Sequence, residues 1–271
     1  MGSIVAQELR RTLGMLRPRI IPCLLVRNNG LVKTVRFKDE KYLGDPINAV
    51  RIFNEKEADE LIILDIDATS KQVGPDFRKI EHWAAECRMP LCYGGGVTTL
   101  EQAKTIIGVG VEKVALSAAV VARPSLVSEI AGTIGSQSVV AVLDVRKTNG
   151  RHEIWTHNGK RNTGMCPIEL SKQLQGFGIG EIVLNSIDQD GVMKGYDLEL
   201  VARVREQISV PMSVLGGAGS LQDIGTLFRR FGVIGAAAGS LFVFKGALKA
   251  VLINYPNSMM RETLASEARS Q

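Results

Sequence analysis

The chain has 271 residues, of which 45% are hydrophobic and 23% are charged, as is typical of a globular protein with one large domain or two small ones. The net charge is +5, but the charges are interspersed without a basic tract, which disfavours nucleic acid and is equally well explained by small anionic substrates. No apolar run approaches the roughly 18 residues needed to span a bilayer, so no membrane segment is expected.

The cysteines and histidines indicate neither a metal site nor a disulfide framework. The four cysteines show no CxxC spacing, and the three histidines form no metal-ligand pattern. Cys23 and Cys92 fall in predicted strands and are interpreted as small buried hydrophobes in a reducing cytosol. We therefore expect a cytoplasmic protein without a metal or cofactor. Residues 1–14 lack the apolar core of a signal peptide and are interpreted as an extension or an expression remnant.

Short apolar runs alternate along the chain with capped, helix-like segments. Strands are predicted at Ile20–Val26, Glu60–Asp67, Leu91–Tyr93, Lys113–Leu116, Val139–Asp144, Glu181–Ser186, Met212–Leu215 and Val233–Ala237. Helices are predicted after Asp45, from Pro75, after Thr98 or Thr99, from Pro124, around Ile168, after Asp197, after Ser220 and near Lys245 to Asn254. Polar segments are expected at 27–44, with a turn at Asn28–Gly30, and at 146–163, where two Asn-Gly turns suggest a hairpin.

Eight strand-helix units predict a (β/α)8 TIM barrel as one domain over residues 15–271. A doubly wound sheet is the alternative, but it usually has fewer units and does not predict an internal repeat. Such a repeat is visible, because Pro90–Gly96 matches Pro211–Gly217. A half-barrel repeat accounts for this match.

The strand Val139–Asp144 ends on a carboxylate, at the end of the strand where parallel sheets place their chemistry. Asp144 is therefore either catalytic or tied to backbone donors. In the repeat, Leu25 occupies the position that corresponds to Asp144. General acid–base chemistry would favour two carboxylates there, and this chain has one.

Two glycine-rich turns, each followed by a capped helix, lie on one face of the predicted barrel. Gly96 belongs to the first turn and Gly217 to the second, which Gly239 and Ser240 complete after the last strand. Glycines let backbone N–H groups approach an anion, and helix N-termini favour negative charge. The pattern predicts a ligand with a phosphate at each end; the alternative is that these glycines only form tight turns.

Several motifs resemble the cyclase subunit of imidazole glycerol phosphate synthase, collinearly from about Met15 to Tyr255. They are Ile20–Leu24, Asp59–Leu61, Tyr93–Gly96, Gly159–Gly164, Ser186–Gly191 and Gly216–Gly219. The resemblance implies a barrel that receives ammonia from a glutaminase subunit at its amino-terminal face. The ammonia then travels along the axis to a bis-phosphorylated ribonucleotide at the carboxyl face.

The resemblance also assigns individual residues. A ring of four charged residues at the ammonia entrance corresponds to Arg19, Glu60, Lys113 and Glu181, each at or just before the start of a predicted strand. A solvated salt-bridge network is the alternative role for the ring. Asp144 corresponds to the catalytic acid, and the substrate and phosphate site corresponds to Lys33, Asp65, Gly96, Ser117, Asp190, Gly191, Gly217, Gly239 and Ser240.

The upper face departs from the family. Leu25 replaces the catalytic Asp of the first strand, Ser117 replaces an Asn, Asn185 a Thr and Leu215 a Ser. The combination resembles divergent paralogues associated with amidation of bacterial surface sugars such as those of lipopolysaccharide, which implies a third, sugar-modifying amidotransferase as partner. The alternatives are a genuine histidine-pathway cyclase that recruits another base such as Asp65, and a non-catalytic activator of the glutaminase that binds a phosphorylated ligand.

Overall fold

The computed structural model describes residues 17–246 and 248–268, so the predicted extension at 1–14 lies outside the described residues. The strands are β1 (Arg19–Arg27), β2 (Gly30–Val35), β3 (Lys38–Gly44), β4 (Leu61–Asp65), β5 (Leu91–Gly94), β6 (Lys113–Leu116), β7 (Val139–Thr148), β8 (Arg151–Thr156), β9 (Arg161–Asn162), β10 (Glu181–Ser186), β11 (Met212–Leu215), β12 (Gly235–Ala238), β13 (Phe244–Lys245) and β14 (Ala250–Val251).

Helices alternate with these strands. They are α1 (Pro46–Glu55), α2 (Ala68–Lys71), α3 (Phe77–Glu86), α4 (Leu100–Gly108), α5 (Ala118–Ala122), α6 (Leu126–Ile134), α7 (Pro167–Gly176), α8 (Leu198–Arg205), α9 (Leu221–Phe231), α10 (Ser240–Val243) and α11 (Ser258–Glu267). A single 3₁₀ turn at Ser136–Ser138 precedes β7 in this part of the chain.

In the described part of the chain, eight parallel strands close into a barrel in the order β1, β4, β5, β6, β7, β10, β11 and β12. The barrel of eight strands is closed there, because β7 pairs with β10 and β12 pairs with β1. The predicted (β/α)8 barrel is therefore confirmed, and the doubly wound alternative is excluded. In 17–246 and 248–268, no helix is long and apolar enough to cross a bilayer.

The internal repeat is visible in how two helices begin. The Thr99 side chain accepts a hydrogen bond from the backbone N–H of Gln102. In return, the Gln102 side-chain oxygen accepts a bond from the backbone N–H of Thr99. Ser220 and Asp223 form the same reciprocal pair at the start of α9. Both capping boxes follow a glycine-rich turn at the carboxyl end of a barrel strand, so the half-barrel repeat includes its local start signals.

Two predicted segments differ from the structure. The polar segment at 27–44 is an antiparallel hairpin of β2 and β3 that extends β1 beyond the barrel. Its strand signal was hidden because β3 is almost wholly exposed and charged. The helix predicted near Lys245 to Asn254 is wrong: β13 and β14 occupy that region. The last helix begins later, where the Asn257 side chain accepts a bond from the Met260 N–H.

Candidate functional site

A charged ring closes the amino-terminal end of the barrel. It consists of Arg19, Glu60, Lys113 and Glu181. Arg19 contacts both carboxylates, with 2.6 Å between its Nη2 and Glu181 Oε1. Lys113 Nζ also contacts both, at 2.8 Å from Glu60 Oε1 and 2.9 Å from Glu181 Oε2. Ser213 donates a further bond of 2.5 Å to Glu181 Oε1, so these five side chains form one continuous network.

The two carboxylates of the charged ring are the buried members. Their side chains are 4% and 6% exposed, against 28% for Arg19 and 18% for Lys113. Burial of Glu181 disfavours its charged form, but Arg19 and Lys113 outweigh this effect and lower its pKa to about 2. Glu181 is therefore ionised at neutral pH, and each glutamate of the ring depends on both cations because a lone buried charge is strongly disfavoured.

Above the charged ring the barrel interior is apolar. Successive inward-facing side chains on β1 are Ile21, Cys23 and Leu25, and on β10 Val183 lies two residues beyond Glu181. The buried cluster of the lumen contains Ile21, Cys23, Leu25, Val32, Ile62, Cys92, Ala115, Val140, Val142, Val183, Leu215 and Ala237. Leu25 is six residues beyond Arg19, which corresponds to about 20 Å along the strand.

A cavity of about 530 Å³ opens where this lumen meets the carboxyl ends of the strands. Six of the predicted site residues line it: Lys33, Asp65, Gly96, Ser117, Asp144 and Asp190. Leu25 and Leu215 line the same cavity and form part of its apolar surface. The volume is ordinary for a small-molecule site, and its mixture of apolar wall and convergent polar groups is typical of one.

Asp144 is the titratable group best placed for chemistry in this cavity. Burial raises its pKa to about 7, an effect opposed by hydrogen bonding to Asn185 and Ser117 and reinforced by the nearby charge of Asp190. Its protonated and ionised forms are thus comparably populated at neutral pH. A carboxyl group in that state can either donate or accept a proton.

Asn185 orients the Asp144 carboxyl group. Its Nδ2 donates a bond of 2.8 Å to Asp144 Oδ1, across the parallel pairing of β10 with β7. Its own Oδ1 is buried and has no hydrogen-bond partner among the described residues. An unpaired buried acceptor beside a titrating carboxyl is typical of a site completed by a ligand.

Lys33 reaches the cavity from the hairpin. Its side chain is buried, and a Cβ on Gly239 would lie only 2.0 Å from its Nζ. Glycine is thus required at 239 for the lysine to lie there. Four predicted phosphate residues do not line the 530 Å³ cavity: Gly191, Gly217, Gly239 and Ser240. Gly239 packs against Lys33, which does line it.

Thr34, His157 and Asn158 are among the cavity residues that were not predicted as site residues. Thr34 follows Lys33 on β2 and donates a bond of 3.3 Å to Asp190 Oδ2. Asn158 Nδ2 donates a hydrogen bond of 2.6 Å to the backbone oxygen of Ile66, which links the turn between β8 and β9 to the loop after β4. The Asn-Gly turn at 158 was the available signal, but it marks a turn and does not show which way the turn folds.

Comparison with known proteins identifies the family. Residues 19–249 match the profile of the family described as "Histidine biosynthesis protein". The chain belongs to this family.

Three relatives place this member of the histidine biosynthesis protein family more closely. A Leptospira interrogans protein provisionally named imidazole glycerol phosphate synthase subunit HisF is 56% identical, over 92% of this chain and 99% of its own length. A Pseudomonas aeruginosa protein provisionally named imidazole glycerol phosphate synthase subunit hisF2 is 52% identical, over 90% of this chain and 97% of its own length. A protein from Alkaliphilus metalliredigens is named imidazole glycerol phosphate synthase subunit HisF, and this name is not provisional. It is 38% identical, over 84% of this chain and 91% of its own length. The chain is therefore a cyclase-like subunit of the HisF kind.

Lys113→Met should destabilise this family member, because Glu60 and Glu181 would then share Arg19 alone. We expect the free energy of unfolding to fall by about 3 kcal/mol, at the lower end for buried pairs because Lys113 is partly exposed. Lys104→Met removes the exposed pair with Glu101 and should cost less than about 1 kcal/mol. Urea unfolding of both variants measures the difference, and equal small losses would contradict the account.

Asp144 should make stability depend on pH. Its folded pKa of about 7 exceeds the unfolded value of about 3.9, so its contribution is fully present below pH 4 and is lost as pH rises through 7. Asp144→Asn removes this loss. Relative to wild type, the variant should gain about 3 kcal/mol between pH 5 and pH 8 in urea unfolding. If the free energies of unfolding of the variant and the wild type differ by the same amount at pH 5 and at pH 8, the predicted titration of Asp144 is excluded.

Proposed function

We propose that this chain is the barrel subunit of a glutamine amidotransferase complex, which takes ammonia from a glutaminase at the charged ring and conducts it to a phosphorylated ligand at the carboxyl face. The observation that carries the proposal is the continuity of three features: the charged ring, the apolar lumen and the cavity around Asp144. A structural salt-bridge network alone would require neither the lumen nor the cavity.

The apolar lumen favours ammonia over ammonium. Transfer of a charged group into an apolar interior is costly without a partner, whereas neutral NH₃ is small and weakly penalised. The charged ring blocks the amino end as it stands, so entry requires one of its ion pairs to separate. A glutaminase docked at this end is the natural source of both the ammonia and the contacts that would open the ring.

The reaction at the carboxyl face is proposed to differ from ring closure by the histidine-pathway enzyme. Asp144 is present, but Leu25 occupies the position of the family's first-strand Asp and packs in the lumen cluster. Loss of a positioned general base typically costs about 10²–10⁴-fold in rate. The apolar surface of Leu25 and Leu215 also suits a ligand less polar at that point than the ribonucleotide.

Amidation of a surface sugar is the proposed destination of the ammonia, with a third, sugar-modifying amidotransferase as recipient. Two observations support a role distinct from histidine synthesis. Leu25 lines the upper cavity at the position of the family's first-strand Asp, while the ring below it is complete. The relatives at 52% and 56% identity have provisional names, whereas the unqualified HisF from Alkaliphilus is 38% identical.

A genuine cyclase is the second candidate, and Asp65 is the observation that favours it. Asp65 lines the same cavity and offers a replacement carboxylate. Its Oδ1, however, accepts bonds from the backbone N–H groups of Asp67 at 2.9 Å and Ala68 at 3.2 Å. These bonds fix Asp65 in the turn that starts α2 and favour a structural role.

A non-catalytic activator of the glutaminase is the third candidate, because a phosphorylated ligand in the cavity does not by itself require chemistry there. Glutaminase activity measured with and without this subunit tests the role. Equal activity in the two samples would remove the activator function while leaving ammonia conduction open.

Complementation distinguishes the first two candidates. Expressed in a bacterial strain that lacks its own cyclase subunit, this chain should fail to restore growth without histidine, because Leu25 provides no base. The strain's authentic subunit on the same vector is the positive control, and immunoblotting verifies equal amounts of protein. Restored prototrophy would refute the surface-sugar role and establish the cyclase.

A further inference from the structure

A second cavity, of about 680 Å³, opens on the carboxyl face beside the main one. It lies between the β2–β3 turn, β7 and the loop after β10, and none of its lining residues lines the main cavity. We call it the cationic cleft, because its charged lining consists of Arg36, Lys38, Arg146 and Lys249 with Asp39 and Asp188.

The four cations of the cleft have no carboxylate within ion-pair distance among the described residues. Arg36 Nε donates to the backbone oxygen of Asp188 at 3.0 Å, and Arg146 Nη1 donates to that of Gly159 at 3.3 Å. Lys38 and Lys249 make no side-chain hydrogen bond within 17–246 and 248–268. Clustered cations without counter-charges repel one another, and a bound anion removes that repulsion.

The two acids of the cleft do not neutralise it. Asp188 Oδ2 accepts a bond of 2.8 Å from the backbone N–H of Lys147, which lies outside the cleft lining. Asp39 is exposed on β3, where it adopts φ of 51°. Four cations and two carboxylates leave a net charge of +2 in one concave surface.

The arginines are held in place before any ligand arrives. The Arg146 guanidinium carbon lies 4.5 Å from the ring centre of Trp155, a stacking contact that fixes its plane. Arg36 is held by its own backbone N–H, which donates to the Asp190 oxygen at 2.8 Å. An oriented guanidinium binds phosphate through paired N–H groups, and less side-chain entropy is lost when it does.

We propose that the cationic cleft binds a phosphate or diphosphate group, at a site separate from the cavity around Asp144. Phosphate carries the charge of −2 that matches the cleft, and its oxygens match the donors of Arg36 and Arg146. None of its residues belongs to the charged ring or lines the main cavity, and one of them, Gly191, is also a predicted phosphate residue of the carboxyl face.

Inorganic pyrophosphate titrated onto the full chain tests the proposal. The sequence holds two tryptophans, so in a Trp83→Phe background emission comes from Trp155 beneath Arg146. Lys38→Ala/Lys249→Ala in that background should raise the half-saturating concentration at least tenfold. The matched control, Lys56→Ala/Arg88→Ala, removes two exposed cations near the ends of α1 and α3 and should leave it unchanged.

Calorimetry supplies the second measurement, because the main cavity can bind pyrophosphate as well. The wild-type chain should bind one more pyrophosphate than the Lys38→Ala/Lys249→Ala variant. Equal stoichiometry together with equal half-saturation in both double variants would overturn the proposal. Binding of polyglutamate without binding of pyrophosphate would also overturn it, in favour of a docking surface for an acidic protein segment.

Discussion

Burial of two carboxylates at the amino end of the barrel is the constraint on which the rest of this structure depends. Glu60 and Glu181 are nearly inaccessible and would be strongly disfavoured as lone charges. Arg19 and Lys113 each contact both of them, so the starts of β1, β4, β6 and β10 are tied together at one end of the barrel. A barrel interior filled with aliphatic side chains would be simpler to stabilise, which makes a functional reason for the charges the better explanation.

The two ends of the barrel follow different chemistry. Below, ion pairs are complete and Ser213 adds a further bond to Glu181. Above, the polar groups are incompletely satisfied: Asn185 Oδ1 lacks a partner among the described residues, and burial brings the Asp144 pKa to about 7. The lower end is therefore a closed structure, whereas the upper end is prepared for a ligand. Between them, the apolar lumen separates the two sets of charges.

The barrel and the positions of its eight strands could be predicted because buried parallel strands are short apolar runs whose flanking caps are explicit. Asp45, Thr99, Asp197 and Ser220 all cap helices as expected. The hairpin of β2 and β3 could not be predicted, since its second strand, β3, is exposed and charged and lacks the alternating pattern. The final helix was misplaced, because β13 and β14 occupy the predicted region and the helix begins only after the Asn257 cap.

The candidate site was predictable in part for a related reason. Asp144 and Asn185 lie where β7 and β10 reach the carboxyl face of the barrel, and the parallel pairing of these strands makes them neighbours. The cationic cleft was not predictable, because Arg36 and Lys38 come from the β2–β3 hairpin and Lys249 comes from the turn between β13 and β14, far along the chain. Only the folded hairpin brings them beside Arg146, and their spacing along the chain contains no signal of this.

The most direct test of the central claim is turnover of the histidine-pathway ribonucleotide by the purified chain with ammonium salt, which bypasses the glutaminase. The product is followed by its absorbance change, with an authentic cyclase subunit as reference. The account predicts a rate at least 100-fold below the reference, because Leu25 offers no base where the family has Asp. A rate within tenfold of the reference would contradict it and return this barrel to histidine synthesis.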